Sequence, residues 1–220
     1  MPASLMVKNI IFDFDGVLAD SLDSVIELLN NYGSEYGLPR LSRSDVRNTG
    51  LTGLIQKSKI STFRLPFFVR KMRNGLSEMI GRIPIHGGMA DTIRELRKNF
   101  NLGILTSNSS DNVSTFLKLH DLGQYFSYVF SSNSFFAKNE SAQELLSGKG
   151  LKKTESVYVG DEVRDIVAMK KIGLPIVAVG WGYDGDHLLK PLKPEFFATT
   201  PSEFLSLAAG WRVNGAKLPW

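Results

Sequence analysis

Residues 7–16 read Val-Lys-Asn-Ile-Ile-Phe-Asp-Phe-Asp-Gly, an apolar run that stops abruptly on two acids two positions apart. Such a run is a buried strand, and its end is where polar groups leave a sheet. Four similar runs follow, at Leu102 to Leu105, Tyr128 to Phe130, Val157 to Val159 and Ile176 to Val179. Helical spacing fills the gaps. Ile93, Leu96 and Phe100 precede the second strand, and Val113, Phe116 and Leu117 follow it. Leu145 and Leu146 precede the fourth, while Ile166, Met169 and Ile172 follow it and stop at Gly173 and Pro175. Strands alternating with helices pair in parallel, which predicts a three-layer α/β core with a mostly parallel sheet.

The first crossover breaks that rhythm. About 90 residues separate the first two strands, where a crossover helix needs only a dozen or so. Val25, Leu28, Leu29, Tyr32 and Tyr36 mark one amphipathic helix within it, and Leu65, Phe68, Val69, Met72, Leu76, Met79 and Ile80 another. Between them Ser42 or Ser44 can cap a short helix, and Gly50 and Gly53 interrupt the chain. The expected organisation is an α/β core of residues 1–18 and 84–220 with an all-helical cap, residues 19–83, inserted after the first strand.

Composition narrows the chemistry. The 220 residues are 43% hydrophobic, enough to bury a sizeable interior. Zero cysteines exclude disulfides and thiolate metal sites, and His86, His120 and His187 are too scattered for a zinc motif. No apolar run reaches the length of a membrane helix, so the expectation is a cytoplasmic protein with no membrane partner. The formal charge of +4 is uneven, with ten Lys and Arg against five Asp and Glu between Leu22 and Ile85. A basic cap attracts anions. Its residues, such as Arg47, Lys57, Arg64 and Arg70, are expected to raise the local anion concentration rather than touch a reacting group.

In a parallel sheet, ligands bind beyond the carboxyl ends of the strands. The first strand delivers Asp13-Phe14-Asp15-Gly16, the second Thr106-Ser107-Asn108, and the fourth Gly160-Asp161 with Asp165 four residues on. Asp13 and Asp15 project to one side of an extended chain while Phe14 turns into packing. Converging carboxylates repel unless a cation joins them, and an all-oxygen donor set suits Mg²⁺. Thr106 and Ser107, directly before a predicted helix, can hold phosphate oxygens through backbone N–H groups and a hydroxyl. This combination fits phosphoryl transfer, and no nucleic acid is expected as partner.

Asp-Phe-Asp-Gly-Val-Leu-Ala-Asp-Ser at 13–21, Thr-Ser-Asn at 106–108, Lys138, and Gly-Asp-Glu-Val-Arg-Asp at 160–165 resemble the four motifs of the haloacid dehalogenase superfamily. The helical insert after the first motif is similar to the cap of its phosphoglycolate-phosphatase-like branch. The resemblance spans about residues 7–208 and implies a Rossmann-like core and a Mg²⁺-dependent phosphatase acting on a small phosphomonoester, 2-phosphoglycolate or a similar one. It implies that Asp13 is the nucleophile and that Asp15 is the acid and then the base. Asp13, the Asp15 carbonyl, Asp161 and, through water, Asp165 would hold the metal. Thr106, Ser107 and Asn108 would bind phosphate, and Lys138, followed here by Asn139 and Glu140, would neutralise charge; Lys149, Lys152 and Lys153 are the nearest alternative lysines. A phosphomutase carries the same motifs, and an inactive relative acting in binding or regulation is the other alternative.

A Gly-x-Gly-x-x-Gly string at Gly180, Gly182 and Gly185 follows the fifth strand. Pro191 and Pro194 interrupt the stretch behind it, so a flexible loop near the site is expected there rather than a dinucleotide-binding turn. The segment from Trp211 to Trp220 is expected to be a loosely packed terminus.

Overall fold

The computed structural model describes residues 6–58, 60–61, 63–132, 137–213 and 216–217. β1 (Asn9–Phe12) is buried throughout and lies at the centre of a six-stranded sheet. β2 (Asn101–Thr106) and β4 (Ser156–Gly160) flank it, with β3 (Phe126–Ser131) outside β2, and β5 (Ile176–Val179) and β6 (Phe196–Ala198) beyond β4. Every pairing in this sheet is parallel. Phe12 stands opposite both Ile104 and Val159, so Asp13, Thr106 and Asp161 emerge within two residues of one line. β3 is six residues long where the apolar run marks three, and β6 has no counterpart among the expected strands. Three residues between Pro194 and Pro201 are too few for any periodicity to show.

Alternation along the strands divides the core into two halves. Ile10, Phe12, Leu102, Ile104, Val157 and Val159 pack on one face against α5 (Met89–Arg97), α6 (Ser110–Leu119) and α10 (Pro201–Ala209). Ile11, Tyr158, Ile176 and Ala178 pack on the other against α7 (Lys138–Gly148), α8 (Val163–Ile172) and the short α9 (Asp186–Leu189). By the same parity Asp13 falls on the α7 and α8 face, while Phe14 meets Phe116 of α6 edge to face at 5.0 Å. Contrary to a loose terminus, Trp211 is buried among Phe100, Phe196 and Phe204. Beyond it Arg212–Val213 (β7) pairs antiparallel with Ala216–Lys217 (β8); Asn214, Gly215, Leu218, Pro219 and Trp220 lie outside the described residues.

The cap consists of α1 (Leu22–Tyr32), α2 (Arg43–Thr49), α3 (Leu51–Lys57) and α4 (Leu65–Met79), with a 3₁₀ turn over Gly33–Tyr36. Leu22, Val25, Leu29, Leu38, Val46 and Phe68 give it an apolar centre of its own. Mid-helix Gly75 lets α4 approach α1, since a Cβ there would stand 2.5 Å from Leu28. Ser42 caps α2 in a reciprocal box with Asp45, and Gly50, at φ 76°, separates α2 from α3. Gly53 does not interrupt the chain as expected but sits inside α3. Two chain segments join cap to core: Asp20 N–H donates to the Pro84 carbonyl (2.9 Å) and His86 N–H to that of Leu18 (3.0 Å). No helix among the described residues is long and apolar enough to cross a membrane.

Candidate active site

Asp13 leaves β1 with its N–H still bound to the Val159 carbonyl at 2.8 Å. One carboxylate oxygen accepts from the Phe14 N–H (2.8 Å); the other receives the ammonium of Lys138, the first residue of α7. The same ammonium donates to Asp165 Oδ1 on α8 at 2.6 Å, so one buried lysine bridges two acids. Burial pushes the Asp13 carboxyl upward and the Lys138 charge only partly offsets it. Burial pulls Lys138 down, but Asp13 and Asp165 together outweigh it and leave the ammonium raised. Among the alternative lysines, Lys149 lies over the Tyr128 ring and Lys153 donates to the Ile172 carbonyl, neither of them at the carboxylates.

Asp15 is held differently. Ser21 donates to one oxygen (2.9 Å) and the Asn108 amide to the other (3.0 Å). The Ser21 hydroxyl also lies 2.6 Å from the Tyr183 hydroxyl. With the single Ser21 proton on Asp15, Tyr183 is the donor to Ser21. Burial raises the Asp15 carboxyl, opposed first by the Asn108 hydrogen bond. An upward shift is the direction that suits a carboxyl serving as proton donor.

The loop after β2 is built from its own side chains. Thr106 Oγ1 accepts from the Asn108 N–H (2.9 Å), Ser131 donates to the Asn108 carbonyl, and Ser109 caps α6 through the Asn112 N–H. Asn108, expected on phosphate, has its amide nitrogen on Asp15 and its oxygen on Ser109 N–H and Asn112. The reach of a short amide from a helix start lets Asn108 hold Asp15 while it lines the same pocket. Ser107 faces the pocket, and its carbonyl accepts from Arg73 of α4 at 2.8 Å.

The fourth strand contributes the acids. Asp165 Oδ2 accepts from the N–H groups of Asp161 and Glu162 at 3.2 and 3.1 Å, folding the loop back over the start of α8. Asp161 Oδ2 accepts from Tyr183 N–H (2.7 Å), while its other oxygen is buried without a hydrogen-bond partner. A Cβ at Gly16 or Gly182 would stand 2.1 or 2.2 Å from Asp161, so only glycines admit this carboxylate. Burial drives its carboxyl well above the ordinary range, and Glu162, Asp165 and Asp13 add to this. Among the described residues Asp13, Asp161 and Asp165 form one group whose oxygens lie within 4.8 Å of one another. An orphaned buried oxygen, negative charge in excess of one lysine and an all-oxygen donor set fit a hard divalent cation. The Asp15 side chain is not part of that group.

Several participants were not singled out from the sequence. Ser21 and Tyr183 support Asp15, Arg73 enters from the cap, and Arg164 donates twice to Glu162, whose carboxyl burial pushes up to about 7. Asp184, pushed up to about 6 by burial, accepts from the Val163 N–H that opens α8. The glycine string carries a packed loop rather than a flexible one. Arg47 of α2, expected to act only at long range, donates to the carbonyls of Gly182 (2.6 Å) and Gly180 (2.9 Å) and ties the cap to it. Behind it α9 does form, ending before Pro191.

Comparison with known proteins identifies the family. The haloacid dehalogenase-like hydrolase family model matches residues 10–179. A phosphoglycolate phosphatase of Synechococcus elongatus is 30% identical over 203 residues, covering 90% of this chain and 96% of that protein. The pyrophosphatase PpaX of Bacillus mycoides is 27% identical over 221 residues, 96% of this chain and 100% of its own. A haloacid dehalogenase-like family hydrolase from Streptococcus pneumoniae shares the fold with a TM-score of 0.75 at 20% identity, over 92% of this chain and 98% of that one.

Proposed function

The chain belongs to the haloacid dehalogenase-like hydrolase family and is a phosphoric monoester hydrolase, and we propose that it cleaves a small phosphomonoester through an aspartyl-phosphate on Asp13 with Mg²⁺ as cofactor. The observation that carries this reading is the contrast between the two carboxyls of the first motif. Asp13 is paired with a lysine and faces the acid group, whereas Asp15 is held apart by Ser21 and Asn108.

Asp13 attacks phosphorus, and the bond to the alcohol oxygen breaks. Asp15 gives its proton to that oxygen, so the alcohol leaves neutral. Asp15, now ionised, takes a proton from a water that attacks the aspartyl-phosphate. Inorganic phosphate is released and Asp13 is restored. Lys138 holds Asp13 in one rotamer and offsets its charge, and Ser21 and Asn108 aim Asp15. Thr106 and Ser107 stand beside Lys138 and Arg164 at the end of β2, where their hydroxyl and N–H groups would meet the phosphoryl oxygens. The side chains of Asp13, Asp161 and Asp165 and the Asp15 carbonyl would hold Mg²⁺, which when bound supplies charge neutralisation for the phosphoryl group.

The names of the relatives make 2-phosphoglycolate and pyrophosphate the first natural compounds to assay. The deciding experiment is p-nitrophenyl phosphate turnover after EDTA treatment and again after Mg²⁺ is added back. Activity should vanish and return, with free phosphate as product; full activity in metal-free protein would refute the reading.

A further inference from the structure

The pocket over Asp13 and Asp15 has two unlike ends. On the core side stand Asp13, Asp15, Ser107, Asn108 and Arg164. On the cap side the wall is apolar, made by Val25, Leu29, Leu51, Phe68, Met72 and Leu76 among others. Because the phosphoryl group must reach Asp13, the alcohol portion of a substrate has to lie against that wall.

Among the described residues Arg73 is the one cap cation that lines the pocket. Lys71 pairs with Glu35, Arg43 with Asp23, Arg64 lies over Tyr36 and Arg70 over Phe67, and none of the four lines the pocket. Arg73 does line it, but its guanidinium is drawn to the Ser107 carbonyl and so stands at the phosphoryl end. A carboxylate reaching that wall would be desolvated against leucine, phenylalanine and methionine, while among the described lining residues the cations, Arg73 and Arg164, stand at the phosphoryl end. Val25, Leu29, Leu51 and Phe68 are also the buried centre of the cap, so the wall is continuous with packed interior. Such a surface selects by apolar area.

Resting on the phosphatase reading above, we infer that the preferred substrate is a monoester of an apolar alcohol of several carbon atoms rather than of a short hydroxy acid. Each methylene that enters an apolar pocket contributes about 0.8 kcal/mol, which is about a fourfold gain in kcat/KM. That gain accrues until the wall is covered.

The test compares ethyl, butyl and hexyl phosphate with 2-phosphoglycolate on the wild-type enzyme with Mg²⁺. Butyl phosphate should exceed ethyl phosphate by about fifteenfold, from two such methylenes, and should exceed 2-phosphoglycolate by about tenfold or more. In Val69→Arg, which places a cation on the half-buried α4 position lining the wall, the ratio of 2-phosphoglycolate to butyl phosphate should rise by about tenfold, with the circular dichroism spectrum and melting temperature reporting that the variant is folded. A flat alkyl series, or 2-phosphoglycolate as the best of the four, overturns the inference while leaving the phosphatase reading intact. If p-nitrophenyl phosphate is also untouched by the wild-type enzyme, both fall.

Discussion

The two ends of the central sheet are both polar, and they are polar in different ways. At the amino end Asn9 donates to the Glu155 carbonyl and to Ser156, Asn101 donates to Asn9, Ser127 to Asn101, and Ser156 to the Lys152 carbonyl. That chain of neutral groups satisfies itself. At the carboxyl end Asp13 and Asp165 share one lysine, and an oxygen of the neighbouring Asp161 has no hydrogen-bond partner. Polar residues at strand ends therefore do not by themselves make a site. A site is where the charges fail to balance within the protein, because an unbalanced buried charge costs stability and is kept only when a ligand completes it.

The difference between the two ends can be broken by mutation. The largest effect is expected at Asp13→Asn, which removes the nucleophile; kcat should fall by about four orders of magnitude or more, with thermal stability unchanged or increased because a buried acid is lost. Retention of a tenth of wild-type activity would mean that the carboxyl end does not work as described. Next comes Lys138→Met. A unit charge about 4 Å away is worth on the order of 4 kcal/mol at an effective dielectric of 20, and desolvation of the ammonium offsets part of that. Steady-state kinetics should show a loss of two to three orders of magnitude in kcat/KM. Near wild-type rates would make Lys138 a structural counter-ion only.

The cap arginines sharpen the contrast at a smaller scale. Arg73→Ala should lower kcat/KM by about ten- to a hundredfold, as expected for a cation beside the transferring group. Arg64→Ala, which removes an exposed contact with Tyr36 and the Glu35 carbonyl, should stay within about twofold. Equal losses from the two would show that the cap acts only through its summed field. The smallest kinetic effect belongs to the amino end of the sheet. Asn9→Ala leaves the Asn101 amide without its acceptor and should cost about 1–2 kcal/mol, from the penalty of unpaired buried polar groups. In a calorimeter that is a fall of about 2–8 °C in Tm for a chain of this size, with kcat/KM unchanged. A loss of activity at constant Tm would erase the distinction between the two ends.

Most of the carboxyl end is legible in the amino-acid sequence. Asp13, Asp15, Thr106 and Asp161 each follow an apolar run closely, so their positions depend on one local step and on parallel pairing. The cap helices are legible for a similar reason, since fifteen residues of α4 carry enough period to show an apolar face. Arg73 is not legible. It lies three residues from Arg70, about 60° round the helix from it, and nothing local distinguishes the one that reaches the Ser107 carbonyl from the one that lies over Phe67. Of the partners of Asp15, Ser21 is near in the chain, but Asn108 is 93 positions away and the Tyr183 hydroxyl that meets Ser21 is 162 positions from it, so that part of the network is hidden by distance.

The sequence by itself determined the succession of strands and helices, the insertion of a helical cap and the acids that the strands release, because these follow from periodicity and from what comes next along the chain. The tertiary structure alone decided that Lys138 also bridges to Asp165, that Asn108 holds Asp15, that β6 forms the sheet edge, and that the wall facing the phosphoryl site is apolar. Those features are set by how helices rotate and dock against the sheet, and docking sums many weak contacts from residues far apart in the chain, so no short stretch of sequence records the result.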